Sequence, residues 1–181
     1  MAVDECELRG LTVNRFSDEL VKRLERLKET GKLPKFAAIL NPVDVTGSAD
    51  SAMFEAVTRI LLEASEVDGL IVLGLHQTPG LQEDFVDRIA NLAKQQVKPV
   101  VACDIGETEM ALFIRSRFDK LGIPSYGSPE GAARAMAALS WYGGYLKRHE
   151  WFESYIELFM NRHGIKTMQE DKLITELRRP L

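Results

Sequence analysis

An α/β fold with a parallel sheet between layers of helix is what this sequence predicts, and three observations carry the prediction. Two short runs, Gly69–Leu75 and Lys98–Cys103, are apolar almost throughout rather than alternating, the pattern of strands buried on both faces. Helical periodicity fills the stretches between and around them. Glycine, proline and asparagine stand where one pattern gives way to the other.

The elements follow in order. Ser17 is a candidate N-cap, and Asp18 and Glu19 suit the positive end of a helix. Leu20, Leu24 and Leu27 with Val21 form a narrow apolar stripe, and Gly31 is its stop. Lys35–Leu40 reads as a short strand or an extended lead-in. In Asn41-Pro-Val-Asp-Val-Thr-Gly47, Pro42 holds Asn41 out of the helical region and Gly47 allows a turn. Asp44 can accept backbone N–H bonds across that turn, so Asn41, Asp44 and Gly47 read as loop-organising residues. A helix is predicted over 49–65, with Phe54, Val57, Ile60, Leu61 and Ala64 on one side. After the strand at 69–75 comes the loop His76–Gly80, then a helix over 81–96 facing inward through Phe85, Ile89, Leu92 and Ala93. The strand at 98–103 leads to a helix over 107–121, with Ala111, Ile114 and Phe118 facing in, and to a short strand at 123–126. Ser128, Pro129 and Glu130 are a cap, a first-turn proline and an acid, and start a helix that runs into Trp141.

Alternation at this spacing over residues 36–142 implies four parallel strands with helical crossovers, a three-layer sandwich of flavodoxin type. Residues 1–35 form a helical linker before it. Gly143-Gly144 breaks the pattern, and residues 143–181 form a helical extension. That extension is aromatic-rich (Tyr145, Trp151, Phe152, Tyr155, Phe159) and ends in an amphipathic helix over 168–178.

Composition narrows the function. The 181 residues are 45% hydrophobic and 28% charged, a globular balance. Net charge is -4 and the isoelectric point about 5.5, which argues against a nucleic-acid binder. Mean hydropathy is -0.13, and no apolar run has the length of a membrane span. Cys6 and Cys103 have no metal spacing, and the first residues lack a secretory profile, so both read as reduced thiols of a cytoplasmic protein. No Gly-rich dinucleotide or phosphate loop, no metal-ligand cluster and no nucleophile elbow appears.

Chemistry is expected at the carboxyl ends of the strands. The loop His76-Gln77-Thr78-Pro79-Gly80 leads there, with Thr78 as N-cap and Pro79 as first helical residue. That helix start is a candidate anion site formed by Gln77, Thr78, Pro79 and Gly80, weakened by Glu83, Asp84 and Asp87. The bland alternative is a capped helix with no ligand. His76, Asp104 and Glu107 are a possible polar site; no nucleophile adjoins His76, and no residue is assigned a catalytic role. Cys103 beside Asp104 reads as packing.

Asn41-Pro-Val-Asp-Val-Thr-Gly-Ser-Ala49 closely resembles the N-P-[VL]-D-[VL]-T-G stretch of the NDP-forming acyl-CoA synthetases, relatives of succinyl-CoA synthetase. Asp4–Leu11, Gly69–Leu73, Lys98–Val101, Gly122–Pro124 and Ser128–Ala135 support the resemblance, which covers about residues 2–148. It implies the second flavodoxin-like CoA-ligase domain of a multidomain acid–thiol ligase. In that family a phosphohistidine in another domain relays phosphate, and a helix N-terminus of this domain helps to cradle it; carried over, that helix is the one starting at Thr78-Pro79-Gly80. The implied partners are a CoA-binding and phosphohistidine domain and an ATP-grasp domain. CoA, ATP or ADP and Mg belong to the full complex, and the chain alone is expected to be an incomplete enzyme that binds neither CoA nor nucleotide tightly. The loop is less glycine-rich than in succinyl-CoA synthetases, and the tail from Trp151 to Leu181 departs from the pattern. A second class of function is a non-catalytic regulatory or scaffold domain that self-associates or binds a partner through its aromatic tail. A third is a flavodoxin-like domain that binds a small phosphorylated ligand by itself.

Overall fold

The computed structural model describes residues 1–76, 78–95 and 98–163. In order these form α1 (Ala2–Leu8), α2 (Asp18–Glu29), α3 (Ser51–Glu63), β1 (Leu70–Gly74), α4 (Asp84–Gln95), β2 (Val100–Asp104), α5 (Glu109–Lys120), β3 (Ser125–Tyr126), α6 (Pro129–Arg148) and α7 (Phe152–His163). The helix expected over 168–178 lies outside the described residues. The chain divides into two compact units, Met1–Ala137 and Ala138–Leu181.

In the first unit, three parallel strands lie in the order β1-β2-β3. Leu70 pairs with Val100 and Gly74 with Asp104, and Ala102 pairs with Ser125. Strand side chains alternate between the two faces of the sheet. Val72, Val100 and Ala102 meet Phe85, Val86 and Ile89 of α4 and Ile114 and Phe118 of α5. On the other face Ile71, Val101 and Cys103 meet Ala132 and Met136 of α6. This gives the expected three layers. Phe85 is the pivot of the first face: its ring meets Phe54 edge-on at 5.0 Å and Phe118 at 5.6 Å. A neighbouring core joins Leu20, Leu24 and Leu27 of α2 to Val57 and Leu61 of α3.

Local chemistry sets most helix starts. Ser17 Oγ accepts from the Leu20 amide, Asp50 from Met53, Thr108 from Ala111 and Ser128 from Gly131. Each satisfies one of the amides that a helix start leaves open.

Three expectations need correction. Residues 35–40 are not a sheet strand: Ala38 and Asp44 form a single antiparallel bridge, and the sheet has three strands among the described residues. Ala37 and Ile39 are buried against α2 and α3 while Phe36 and Leu40 face solvent, so the alternation serves packing on helices. β1 is not buried on both faces, for Leu73 at the sheet margin is 37% exposed; β2, between two strands, is buried throughout. Within the helical linker, residues 2–8 form α1, and Leu11 packs on the second face of the sheet. Finally, α6 runs unbroken through Gly143-Gly144.

A Cβ at Gly143 would meet nothing within 4 Å. Glycine in a helix costs roughly 0.5–1 kcal/mol relative to alanine. Gly143→Ala is therefore expected to raise stability by about that amount, read as an upward shift in the urea midpoint.

In the second unit, the tail aromatics pack on one another. Tyr145 stacks with Trp141 at 5.7 Å and lies 4.5 Å from His149, and His149 stacks with Trp151 at 5.1 Å. Tyr142 meets Tyr155 edge-on, and Lys147 Nζ lies 5.3 Å from the centre of the Phe152 ring. No helix among the described residues is long and apolar enough to cross a membrane.

Candidate functional site

The loop after β1, the loop after β2 and the turn after β3 leave the carboxyl end of the sheet, where open α/β folds place ligands. The Asn41–Ser48 segment reaches the first of these. A Cβ on Gly80 would lie 2.7 Å from the carbonyl oxygen of Ala49 and 3.1 Å from that of Ser48, so the two loops touch through backbone. Ser51 Oγ accepts from the Gln82 amide at 3.2 Å and fixes the same contact one turn further on. Gly80→Ala must part these backbones, and a cost of about 1–3 kcal/mol is expected, measurable by chemical denaturation.

The Gly74–Asp104 register places Asp104 level with the end of β1, two residues before His76. His76 Nδ1 and Asp104 Oδ2 pair directly. The side chains are 3% and 1% exposed. The His76 ring rests 5.4 Å from Phe85. A carboxylate oxygen only accepts, so the proton of this bond belongs on Nδ1. His76 Nε2 and Asp104 Oδ1 have no hydrogen-bond partner among the described residues. Two of the three residues of the expected polar site are thus brought together. Glu107 is not joined to them: its side chain is 81% exposed and lies 3.5 Å from Arg115 Nη2.

Arg115 was not singled out by sequence. From α5 its Nη1 donates to the carbonyl oxygens of Asp104 at 2.8 Å and Gly106 at 2.6 Å, and so shapes the loop after β2. Its only signal is an arginine directly after the inward-facing Ile114.

The expected anion site is different from its forecast. α4 begins at Asp84, so Thr78, Pro79 and Gly80 are not its first turn. The Thr78 hydroxyl donates backward to the carbonyl of Leu75 at 2.9 Å instead of capping a helix. The Ser51 bond to Gln82 holds the chain in a turn that delays the helix. The real α4 start carries Asp84 and Asp87, each paired with an arginine: Asp84 with Arg88 at 2.7 Å, Asp87 with Arg117. Hydrogen bonds from Ser51 and then Arg88 hold the Asp84 carboxyl below its usual range. Gln77 lies outside the described residues.

The loop-organising residues are all placed. Asp44 Oδ1 accepts from the amide of Thr46 at 2.8 Å, an Asx turn that closes one residue before Gly47. Within this turn the left-handed residue is Thr46, at φ 76°, and not Gly47. Asn41 Nδ2 donates to the carbonyl of Asn14 at 2.9 Å.

Burial, then the charge of Asp104, pushes the Cys103 thiol up to about 11. At pH 8 native Cys103 is expected to resist iodoacetamide and to react fully only after denaturation, which mass spectrometry of the alkylated peptides reads out. The raised value favours the protonated thiol in the folded state. As pH rises past the ordinary thiol range the unfolded chain ionises first, so this contribution to stability falls between about pH 9 and pH 11.

Comparison with known proteins adds the following. The Ligase-CoA domain family matches residues 1–141. The alpha subunit of acetate–CoA ligase (ADP-forming) I from Pyrococcus furiosus is 31% identical over 154 residues, covering 83% of this chain and 31% of that protein. The corresponding subunit of ligase II is 28% identical over 148 residues, covering 77% and 30%. Among solved structures, the dinucleotide forming acetyl-coenzyme A synthetase 1 of Ca. Korarchaeum cryptofilum superposes with a TM-score of 0.68 at 25% identity, over 85% of this chain and 32% of that one. Its complex with phosphate and ADP matches equally. The chain spans about a third of the length of these relatives.

Proposed function

Because the chain belongs to the Ligase-CoA domain family, we propose that it acts as one domain or subunit of an NDP-forming acyl-CoA synthetase. The match of that family over residues 1–141 carries the reading. The relatives' names support it: they are alpha subunits of ADP-forming acetate–CoA ligases, and the chain corresponds to about a third of each.

The reaction would be acyl-CoA plus phosphate plus NDP to acid, CoA and NTP, or its reverse. Phosphate displaces the thiol of CoA to give an acyl phosphate. The phosphoryl group then leaves the acid for a histidine of another domain and passes on to the nucleotide. In this reading a CoA-binding and phosphohistidine domain and an ATP-grasp domain are the partners, in the cytoplasm. The present chain presents the 41–48, 75–83 and 105–108 loops to a site those domains complete. Residues 78–80 border that site as a loop surface, not as a helix cap. No group of three or more His, Cys, Asp or Glu that could hold a metal stands among the described residues. In this reading Mg²⁺ belongs to the full complex, together with the nucleotide.

Reconstitution tests the reading. The chain is mixed with separately purified CoA-binding and ATP-grasp parts, and ATP formation from acetyl-CoA, ADP and phosphate is followed. Activity that requires the chain supports the proposal. Full activity without the chain overturns it. So does binding of CoA or ATP by the chain alone tighter than about 1 μM in calorimetry, since a part of a composite site should not hold either tightly.

A further inference from the structure

His76 and Asp104 are not explained by packing alone. Burying a carboxylate is costly, and a buried pair repays that cost only with good geometry and full hydrogen bonding. This pair leaves Nε2 and Oδ1 without partners among the described residues. Burial with incomplete satisfaction, at the ligand-binding end of the sheet, points to a pair retained for its geometry.

The geometry ties down a loop. His76 is the second residue of the connection between β1 and α4, and Asp104 is the last residue of β2. Asp104 is itself fixed from behind, since Arg115 grips its carbonyl oxygen and that of Gly106. The far end of the connection is held by the Gly80–Ala49 contact and the Ser51–Gln82 bond. Between those anchors, the amides of Thr78 and Leu81 donate to the carbonyls of Leu75 and Thr78. His76 is therefore the anchor at the near end.

We propose that His76 is a positioning residue of the ligase site: through its Nδ1 bond to Asp104 it locks the β1–α4 loop onto the end of β2 and sets where residues 78–80 stand. The part of this inference that concerns activity rests on the function proposed above; the part that concerns the loop does not.

Two substitutions separate the nitrogens. His76→Asn keeps a donor near the Nδ1 position and loses Nε2, whereas His76→Gln keeps a nitrogen near Nε2 and loses Nδ1. In the reconstituted ligase, His76→Gln is expected to lower kcat about 10- to 100-fold, the effect of misplacing groups by about an ångström, with KM changed less than about twofold. His76→Asn should retain kcat within about threefold of the parent. In hydrogen exchange on the full chain alone, His76→Gln should accelerate the amides of Thr78, Leu81 and Gln82, and His76→Asn should leave them protected. Equal behaviour of the two variants in exchange overturns the proposal, as does an Asn variant as impaired in kcat as the Gln variant. A wild-type mixture without ligase activity, together with the expected exchange pattern, sinks the functional reading and leaves the loop anchor standing.

Discussion

Phe85→Ala should lower unfolding stability by about 3–5 kcal/mol, the range for removing a buried aromatic ring from a packed core. Phe85 is 1% exposed and meets Phe54, Phe118 and the ring of His76. For a domain of this size the melting temperature should drop by roughly 10 °C, read by circular dichroism. Phe85→Leu keeps much of the volume and should cost distinctly less. A Phe85→Ala loss below about 1 kcal/mol would contradict the placement of this ring at the centre of the layer.

The second large effect concerns the buried pair. His76→Ala leaves the Asp104 carboxylate buried without its His76 partner, and a loss of about 3–5 kcal/mol is expected. Asp104→Ala removes the carboxylate itself. If the two residues act as a pair, the double variant should be well short of the sum of the single losses. Additive losses in a double-mutant cycle by urea denaturation would show that the contact contributes nothing.

Much of this architecture is legible in residue order because its causes are local. The Leu20–Leu24–Leu27 stripe, the inward faces of α4 and α5 and the caps Ser17 and Ser128 depend on residues within a turn of one another. The apolar runs within 69–75 and 98–103 identify themselves by lacking polar alternation. Most of the misses have nonlocal causes. Whether Lys35–Leu40 pairs in a sheet or packs on helices depends on what lies beside it, and α2 and α3 decide the matter. Thr78-Pro79-Gly80 has the composition of a helix start; the Ser51 hydroxyl, 31 residues from Gln82, moves the start to Asp84. Gly143-Gly144 has the composition of a break, yet the flanking residues keep the helix going. The candidate site shows the same division. His76 and Asp104 are visible as polar residues at the ends of buried strands. Their pairing requires the Gly74–Asp104 register, which is a property of the sheet.

The order β1-β2-β3 has a consequence for how the chain reaches this state. Each strand pairs only with its neighbour in sequence, and each pairing closes a loop holding a single helix. No contact in the sheet waits for a distant segment to return. The mean sequence separation across the sheet is accordingly low for a parallel topology, where speed of folding is usually limited by long closures. The sheet can grow by one strand and one helix at a time in the direction of synthesis, and a nascent chain ending at Lys120 already holds α3, α4 and α5, which cover one face.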